Sequence, residues 1–409
     1  MMTVYDSYKD SGIQVIGLVP SHWKRSKFKY NHVEHDSRVG ENWEDFPLLS
    51  LTKRGVILRD MNSGKGKFPE SFDQYKKVDV GDLIFCLYDI EETPRTVGLS
   101  SFNGMITGSY KIFSSVDVLP RFTYYTFLCL DDVKGLKPYY TGMRNVVRPE
   151  TFKSLPFHYP PLSEQQQIVP FLDTKTSLID SMIEKTQRKI ELLKDSIPNY
   201  HFHTNEKNQF VEMKEYWFQK KPSEWRILKL REIFDIISER NHPNERLLSV
   251  HQIKGVIYRD EQSQDVMNPS GDLSNYKLVK PGDFIISLRS SEGGFEYSEV
   301  TGLVSPVYTV LRPKFEIDTV FYKYLFKTHN FIVELNRFIT GIRDGKNINF
   351  IDIRDVLVPV PLEFNYKVHQ THLNILKSFS LEEKRIELLK EYRQSLISEV
   401  VTGKRKVIV

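Results

Sequence analysis

The second half of this sequence repeats the landmarks of the first. Pro20-Ser21-His22-Trp23 returns as Pro222-Ser223-Glu224-Trp225, and Tyr75-Lys76-Lys77-Val78-Asp79-Val80-Gly81-Asp82 as Tyr276-Lys277-Leu278-Val279-Lys280-Pro281-Gly282-Asp283. Thr141-Gly142 pairs with Thr340-Gly341 and Pro161-Leu162 with Pro361-Leu362. Each half closes on nearly one phrase, Lys189-Ile190-Glu191-Leu192-Leu193-Lys194-Asp195 and Arg385-Ile386-Glu387-Leu388-Leu389-Lys390-Glu391. A period this long lies far beyond the roughly 20 to 50 residues of solenoid repeats, so it marks a duplicated domain. The function has to make sense done twice.

Each half of the 409-residue chain is long enough to bury its own core. A hydrophobic share of 40% and an aromatic share of 12% fit ordered globular folds. No run of about 20 apolar residues offers a membrane span, and the start of the chain, with Lys9 and Asp10 among polar residues, offers no secretory core. Only Cys86 and Cys129 are present, too few for a disulfide framework and without a second metal-ligand pair, so both are expected as small buried apolar residues. These features predict a cytoplasmic protein with no membrane partner and no metal. The 57 basic and 53 acidic residues leave a net charge of +4, which permits a nucleic-acid partner only if placement creates a basic face.

The predicted fold class is α+β, with two duplicated mixed α/β domains separated by a pair of long antiparallel, coiled-coil-like helices. Short apolar runs come after turn signals: Leu83-Ile84-Phe85 after Val80-Gly81-Asp82, and Phe284-Ile285-Ile286 after Pro281-Gly282-Asp283. In both turns the Asp is expected to accept from backbone N–H groups. Short helices are predicted at 122–130 and 320–335. The period changes after Pro160-Pro161, where prolines end a strand and Ser163 with Gln166 forms a capping-box signature. Beyond it Ile168, Leu172, Ile179, Met182, Ile190, Leu193 and Ile197 fall at helical or heptad-like spacing. They predict an amphipathic helix of about 35 residues, kinked at Pro170 and ended at Pro198. Ile375, Phe379, Ile386, Leu389, Leu396 and Val400 form a matching stripe that stops at Gly403. One such stripe cannot bury itself, so the two helices are expected to pack on each other. The predicted boundaries are a first globular domain at 1–160, a central helix at 161–200, a connector at 201–214, a second globular domain at 215–362 and a closing helix at 363–409.

Catalytic signatures are missing. Ser63-Gly64-Lys65-Gly66-Lys67 lacks the upstream glycine and final Ser or Thr of a phosphate-binding loop and reads as a basic surface loop. Tyr159-Pro160-Pro161-Leu162 has neither the leading polar residue nor the closing aromatic of the amino-methyltransferase tetrapeptide. His201 and His203 have no carboxylate or cysteine at ligand spacing and read as loop histidines. What remains is binding chemistry: Lys53, Arg54, Arg59, Lys65, Lys67, Arg144 and Arg148 in the first half, and Lys254, Arg259, Arg289, Arg343 and Lys346 in the second, beside loops and glycines. Arginine can read guanine through its planar fork, and lysine neutralises phosphate. Gly341-Ile342-Arg343-Asp344-Gly345-Lys346-Asn347 stands out because two glycines let a backbone approach a ligand closely.

Three phrases add a resemblance. Lys9-Asp10-Ser11-Gly12 leading to Gly17-Leu18-Val19-Pro20-Ser21-His22-Trp23, the Pro160-Pro161-Leu162-Ser163-Glu164-Gln165 helix start, and the ending Tyr392-Arg393-Gln394-Ser395-Leu396-Ile397-Ser398-Glu399-Val400-Val401-Thr402-Gly403-Lys404 are similar to the specificity subunit of type I restriction-modification systems. With the duplication, the resemblance covers the full length. It implies a non-catalytic subunit with target-recognition domains at 1–160 and 215–362, each reading half of a bipartite double-stranded DNA site. It further implies that the two helices fix the spacer and dock modification (methyltransferase) subunits, two of them, alongside restriction (translocase/nuclease) subunits. S-adenosylmethionine, ATP and Mg would belong to those partners, with no cofactor in this chain. Two departures stand against the family pattern: Asp195-Ser196-Ile197-Pro198-Asn199-Tyr200 replaces the closing phrase at the centre, and Glu363-Phe364-Asn365-Tyr366 stands where the first half has Ser163-Glu164-Gln165-Gln166. Unlike loops should read unlike sequences, as with Tyr88-Asp89-Ile90-Glu91-Glu92-Thr93 against Ser290-Ser291-Glu292-Gly293-Gly294-Phe295, and Arg289 and Arg343 are expected on the second half-site. The competing reading is a helical scaffold whose globular heads bind proteins.

Overall fold

The computed structural model describes every residue except 1, 14, 61–70, 204–209, 215, 253–254, 262–272, 288–289, 339–347, 362–365 and 409. It divides into two compact units, Met1–Lys185 with Arg385–Val409, and Thr186–Lys384.

The first unit is built on a four-stranded antiparallel sheet in the order Val97–Leu99, Leu83–Phe85, Lys111–Ser115, His32–His35. Successive strand side chains point to opposite faces, and here both faces are covered. Leu83, Phe85 and Phe113 enter the main core with Phe28, Phe127 and Phe152, while Ile84 and Ile112 enter a second cluster with Leu49, Val56 and Val78. That is why the apolar run is continuous rather than alternating. Around the sheet lie the hairpin Leu49–Thr52/Gly55–Leu58, the pair Lys76–Val78/Gly104–Ile106, and the pair Lys24–Lys27/Pro156–Tyr159. Helix α1, Pro120–Asp132, packs Phe122, Tyr125, Phe127 and Leu128 into the core. At the edge of the unit Met2–Thr3 pairs with Lys406–Val407.

The second unit has the same pairings. Its four-stranded sheet runs Glu296–Tyr297, Phe284–Ile286, Thr309–Pro313, Phe234–Ile237, flanked by Leu248–His251/Gly255–Tyr258, Lys277–Val279/Gly302–Val304 and Arg226–Lys229/Leu357–Val360. Phe284 and Leu311 face a core with Phe234, Tyr322 and Phe326, and Ile285 and Val310 face the smaller cluster. Both glycine turns form as expected. Gly81 and Gly282 take φ of 95° and 96°, Asp82 Oδ2 accepts from Asp79 N at 2.7 Å, and Asp283 Oδ2 accepts from Lys280 N at 2.8 Å. Cys86 and Cys129 are buried free thiols.

Helix α2 runs without interruption over Leu162–His203, 42 residues. It passes through Pro170 and beyond Pro198, where a stop was expected; a proline removes one backbone donor, yet its fixed φ is itself helical. His201 and His203, read as loop residues, therefore lie in its last turn. The capping box does not form as expected either. Pro161 O accepts from Glu164 N at 2.9 Å and from Gln165 N at 3.1 Å, which puts Pro161 at the cap and Ser163 inside the first turn. The single helix expected over 320–335 is two, α3 Thr319–Leu325 and α4 His329–Asn336. Thr328 is extended at the break, and its hydroxyl donates to Leu325 O at 2.8 Å. Helix α5, Tyr366–Val401, closes the chain, with Gly403 at φ 72° just beyond.

In the first unit Ile168, Leu172 and Ile179 of α2 share the core with Leu396 and Val400 of α5, with Leu389 packed against it. Glu164 of α2 accepts from Trp23 Nε1 at 3.1 Å, and a Cβ on Gly403 would meet the same indole at 3.2 Å. Asp180 meets Arg393 at 2.9 Å. Moving up α2 from Glu164 is thus moving back along α5, an antiparallel packing. In the second unit Ile190 and Phe379 are buried and Lys189 bonds Glu382. Ile386 is buried, whereas Met182, Leu193 and Ile375 are only partly so. Ile397, Thr176 and His372, outside the expected stripes, are buried instead.

Candidate nucleic-acid interface

The turn of the Leu49–Thr52/Gly55–Leu58 hairpin carries Lys53 and Arg54 at its tip. Gly55 takes φ 95°, and Thr52 Oγ1 accepts from Arg54 N at 3.1 Å, so the turn is fixed while both basic side chains stay exposed. Arg59 is exposed where the hairpin ends. Arg144 donates through Nε to Asp89 at 3.1 Å and lies over the Tyr88 ring at 5.8 Å. Its charge is already answered by a carboxylate. Arg148 is exposed before the short helix Pro149–Lys153. Arg259 is half-buried. Lys65, Lys67, Lys254, Arg289, Arg343 and Lys346 lie outside the described residues, as does the Gly341 to Asn347 cluster.

What the structure adds is a cleft of about 570 Å³ in the first unit. Its lining brings together Lys53 and Arg54 of the hairpin tip, Arg95, Tyr124, Leu128 and Asp132 of α1, Asp180 and Ile183 of α2, and Lys390, Arg393 and Gln394 of α5. Five cations thus face two aspartates. Arg95 bonds Asp132 at 2.9 Å and Asp131 at 3.2 Å. Burial opposes its charge, but the two carboxylates prevail and raise its pKa above the ordinary arginine value. Arg393 is held by Asp180. Among the described residues no ion pair engages Lys53, Arg54 or Lys390.

The second unit has a cleft in the corresponding place, about 1480 Å³, between the Leu248–His251/Gly255–Tyr258 hairpin, α3 and the long helices. Its lining holds four lysines, Lys194, Lys323, Lys327 and Lys377, against four glutamates, Glu261, Glu296, Glu299 and Glu383. Lys323 bonds Glu299 at 2.6 Å, and Lys327 bonds Glu296. Burial lowers the Lys327 ammonium and raises the Glu296 carboxyl, since each pays to be charged away from water. Aromatic rings of Tyr258, Tyr297, Tyr324 and Phe379 complete the wall.

At the joint between each head and its helix the polar groups differ. Gln165, fully buried, donates to Pro160 O at 2.9 Å and accepts from Leu119 N, at the start of α1, at 2.8 Å. In the second unit Asp318 caps α3 through Val320 N and Phe321 N, both at 3.1 Å, and its carboxylate also bonds His372 Nδ1 at 2.8 Å and His369 Nδ1 at 3.0 Å on α5. Burial alone would push the Asp318 carboxyl up; the bonds to His372 and His369 overcome it and hold the carboxyl at about 2.

Of these cleft residues the sequence reading named Lys53 and Arg54 and did not name Arg95, Lys390 and Arg393. Lys390 and Arg393 sit on the polar face of an amphipathic helix, where charge reads as solvation; only the fold brings them to the hairpin. Among the described residues no group of three or more His, Cys, Asp or Glu could hold a metal ion, and no helix is long and apolar enough to cross a membrane.

Residues 105–193 match the family described as Type I restriction modification DNA specificity domain. The chain is 24% identical over 289 residues to the Type I restriction enzyme MjaVIII specificity subunit of Methanocaldococcus jannaschii, covering 65% of this chain and 66% of that protein. A solved chain from work on complex assembly and conformational transition of the type I R-M system aligns with a TM-score of 0.56 at 14% identity, over 94% of this chain and 98% of its own. The HsdS subunit from Thermoanaerobacter tengcongensis aligns over 94% of this chain and 98% of its own at 16% identity, but its TM-score of 0.41 adds nothing to the fold. The chain is thus similar to type I restriction-modification specificity subunits over residues 105–193 and along the 289 residues aligned with the curated relative, and it shares the fold of the solved type I R-M chain.

Proposed function

We propose that this chain is the non-catalytic DNA-specificity subunit of a type I restriction-modification complex, and that each head, at 1–160 and 215–362, reads one half of a bipartite double-stranded DNA target. The observation that carries this reading is the repeat itself. One set of strand pairings occurs in both units, while the loops and cleft linings that could meet a ligand differ in charge and shape. A duplicated scaffold with unlike faces suits a reader of two unlike short sequences.

In this reading α2 and α5 act as the spacer and the docking surface. A 42-residue helix spans on the order of 60 Å at ~1.5 Å per residue, enough to set two contacts more than one turn of duplex apart. Leu381, Leu388 and Tyr392 on α5 are 72%, 52% and 53% exposed and recur at helical spacing on one face. An exposed apolar stripe of this kind supports docking of two methyltransferase subunits, with restriction subunits joining them. Methyl transfer with S-adenosylmethionine, and ATP- and Mg-dependent cleavage, fall to those partners.

The test is selection from a randomised duplex library by the chain co-expressed with its methyltransferase subunit, with sequencing of the bound pool. Two short motifs at a fixed, unspecified spacing are expected. A well-folded complex that enriches nothing would replace this reading with a protein-binding scaffold.

A further inference from the structure

The two clefts differ most in unanswered charge. In the first, Arg95 and Arg393 are tied to aspartates, and three further cations have no acidic partner among the described residues. Two of these, Lys53 and Arg54, project from a hairpin tip whose backbone is pinned by Thr52. The third, Lys390, lines the same cleft from α5. In the second, Lys323 and Lys327 are consumed by Glu299 and Glu296; Lys194, over the Phe379 ring at 5.9 Å, and Lys377 have no ion pair among the described residues, but the same lining also carries Glu261 and Glu383. A cleft of about 570 Å³ does not admit a duplex, but its rim can meet a ridge of phosphates.

We propose that the cleft formed by Lys53, Arg54 and Lys390 is a phosphate clamp for the DNA backbone, that α5 is therefore a DNA-contacting element as well as a spacer, and that the second unit has no equivalent clamp. The proposal rests on the specificity-subunit reading above and adds an unequal division of labour to it. The first head contributes most of the sequence-independent grip, and the second relies on its own recognition loops. Lysine suits the part, because its ammonium is a compact point charge with no fixed fork to match a base edge. A DNA backbone suits the cleft better than an acidic protein segment, because three unpaired cations from a hairpin tip and a long helix, gathered on one cleft, match a closely spaced line of charge, about one per 1.7 Å of duplex.

The experiment measures affinity of the full-length chain, in complex with its methyltransferase subunit, for a duplex carrying the selected target over a series of KCl concentrations. The triple variant Lys53→Ala/Arg54→Ala/Lys390→Ala should lower the slope of log affinity against log salt by about 2 to 3, at ~0.9 per phosphate contact, and leave the selected motifs unchanged. The single variant Lys390→Gln, which keeps helix propensity and length, should lower it by about one. Lys194→Ala/Lys377→Ala in the second cleft should change it by less than either. A triple variant with the wild-type slope overturns the clamp while the specificity reading stands. An altered first motif overturns it in favour of base reading, and lost assembly with methyltransferase at an unchanged slope overturns it in favour of an acidic protein segment. A wild-type complex that binds no duplex sinks both the clamp and the reading beneath it.

Discussion

The two units fix a globular head to its stretch of long helix at the same place with different chemistry. In the first, α1 begins at Pro120 without a side-chain cap of its own, and Gln165 reaches from α2 to accept from Leu119 N. In the second, Asp318 caps α3 itself and takes two imidazoles from α5 on the same carboxylate. A neutral amide makes one joint and an ionisable carboxylate makes the other. The turns tell a similar story: Asp82 meets His35 at 3.1 Å, whereas Asp283 meets Arg312 through two bonds at 2.7 Å. Backbone pairing is kept between the units, and charge diverges wherever a side chain crosses to another element. That pattern is expected of a repeated scaffold, because hydrogen-bonded registers tolerate no slippage while a buried polar contact needs only some satisfied partner.

The sharpest way to break this comparison is Asp318→Ala. It strips the cap from α3 and removes the carboxylate that both imidazoles bond, a loss of about 3 to 5 kcal/mol for the second unit, in the range seen when one member of a buried pair is removed. Urea unfolding, with hydrogen exchange to locate the loss in 319–325 and 366–384, checks it. Gln165→Ala leaves Leu119 N–H and Pro160 O unsatisfied and should cost the first unit less, about 1 to 3 kcal/mol. A Gln165 loss exceeding the Asp318 loss would show that ionisable chemistry adds nothing to the second joint.

Acid separates the joints further. The Asp318 carboxyl is depressed in the folded chain, from 3.8 to about 2, so its contribution is fully present above about pH 4 and is lost as pH falls towards 2. The shift corresponds to about 2 kcal/mol at most. The stability gap between wild type and Asp318→Asn should therefore be widest above pH 4 and close towards pH 2, while the gap between wild type and Gln165→Ala stays flat through the same window. Parallel behaviour of the two variants would mean that the joints do not differ in kind.

Legibility in the sequence tracks how local each feature is. The Gly-Asp turns were readable because the carboxylate bonds an amide three residues back, and the long helices because their stripes repeat within one element. Pro198 misled because a proline ends a helix only where the next residues leave the helical path, and the Ser163 capping box because Pro161 had already started the turn. Thr328 split the second short helix with no signal stronger than its own hydroxyl. The joints and clefts were out of reach. Asp318 and His372 stand 54 residues apart, and Lys390 comes to the same cleft as Lys53 only through the fold. Lys53 and Arg54 were named because basic residues beside a glycine are a local feature, and their place in a shared cleft was not legible.

The smallest prediction tests the half of the comparison in which the units agree. Gly81 and Gly282 hold φ of 95° and 96°, and a Cβ on either would meet nothing within 4 Å. Steric crowding is therefore absent at both sites, and the cost of Gly81→Ala or Gly282→Ala comes only from forcing an L residue into a left-handed conformation, about 1 to 2 kcal/mol. The flanking bonds are also matched, Gly81 N to Ser100 O at 2.9 Å and Gly282 N to Ser298 O at 3.0 Å. Equal losses on urea unfolding, within about half a kcal/mol, are expected if one scaffold was built twice. Losses that differ by more than about 1 kcal/mol would place the divergence of the two units in the backbone itself, and the contrast between shared pairing and changed charge would fail at its firmer end.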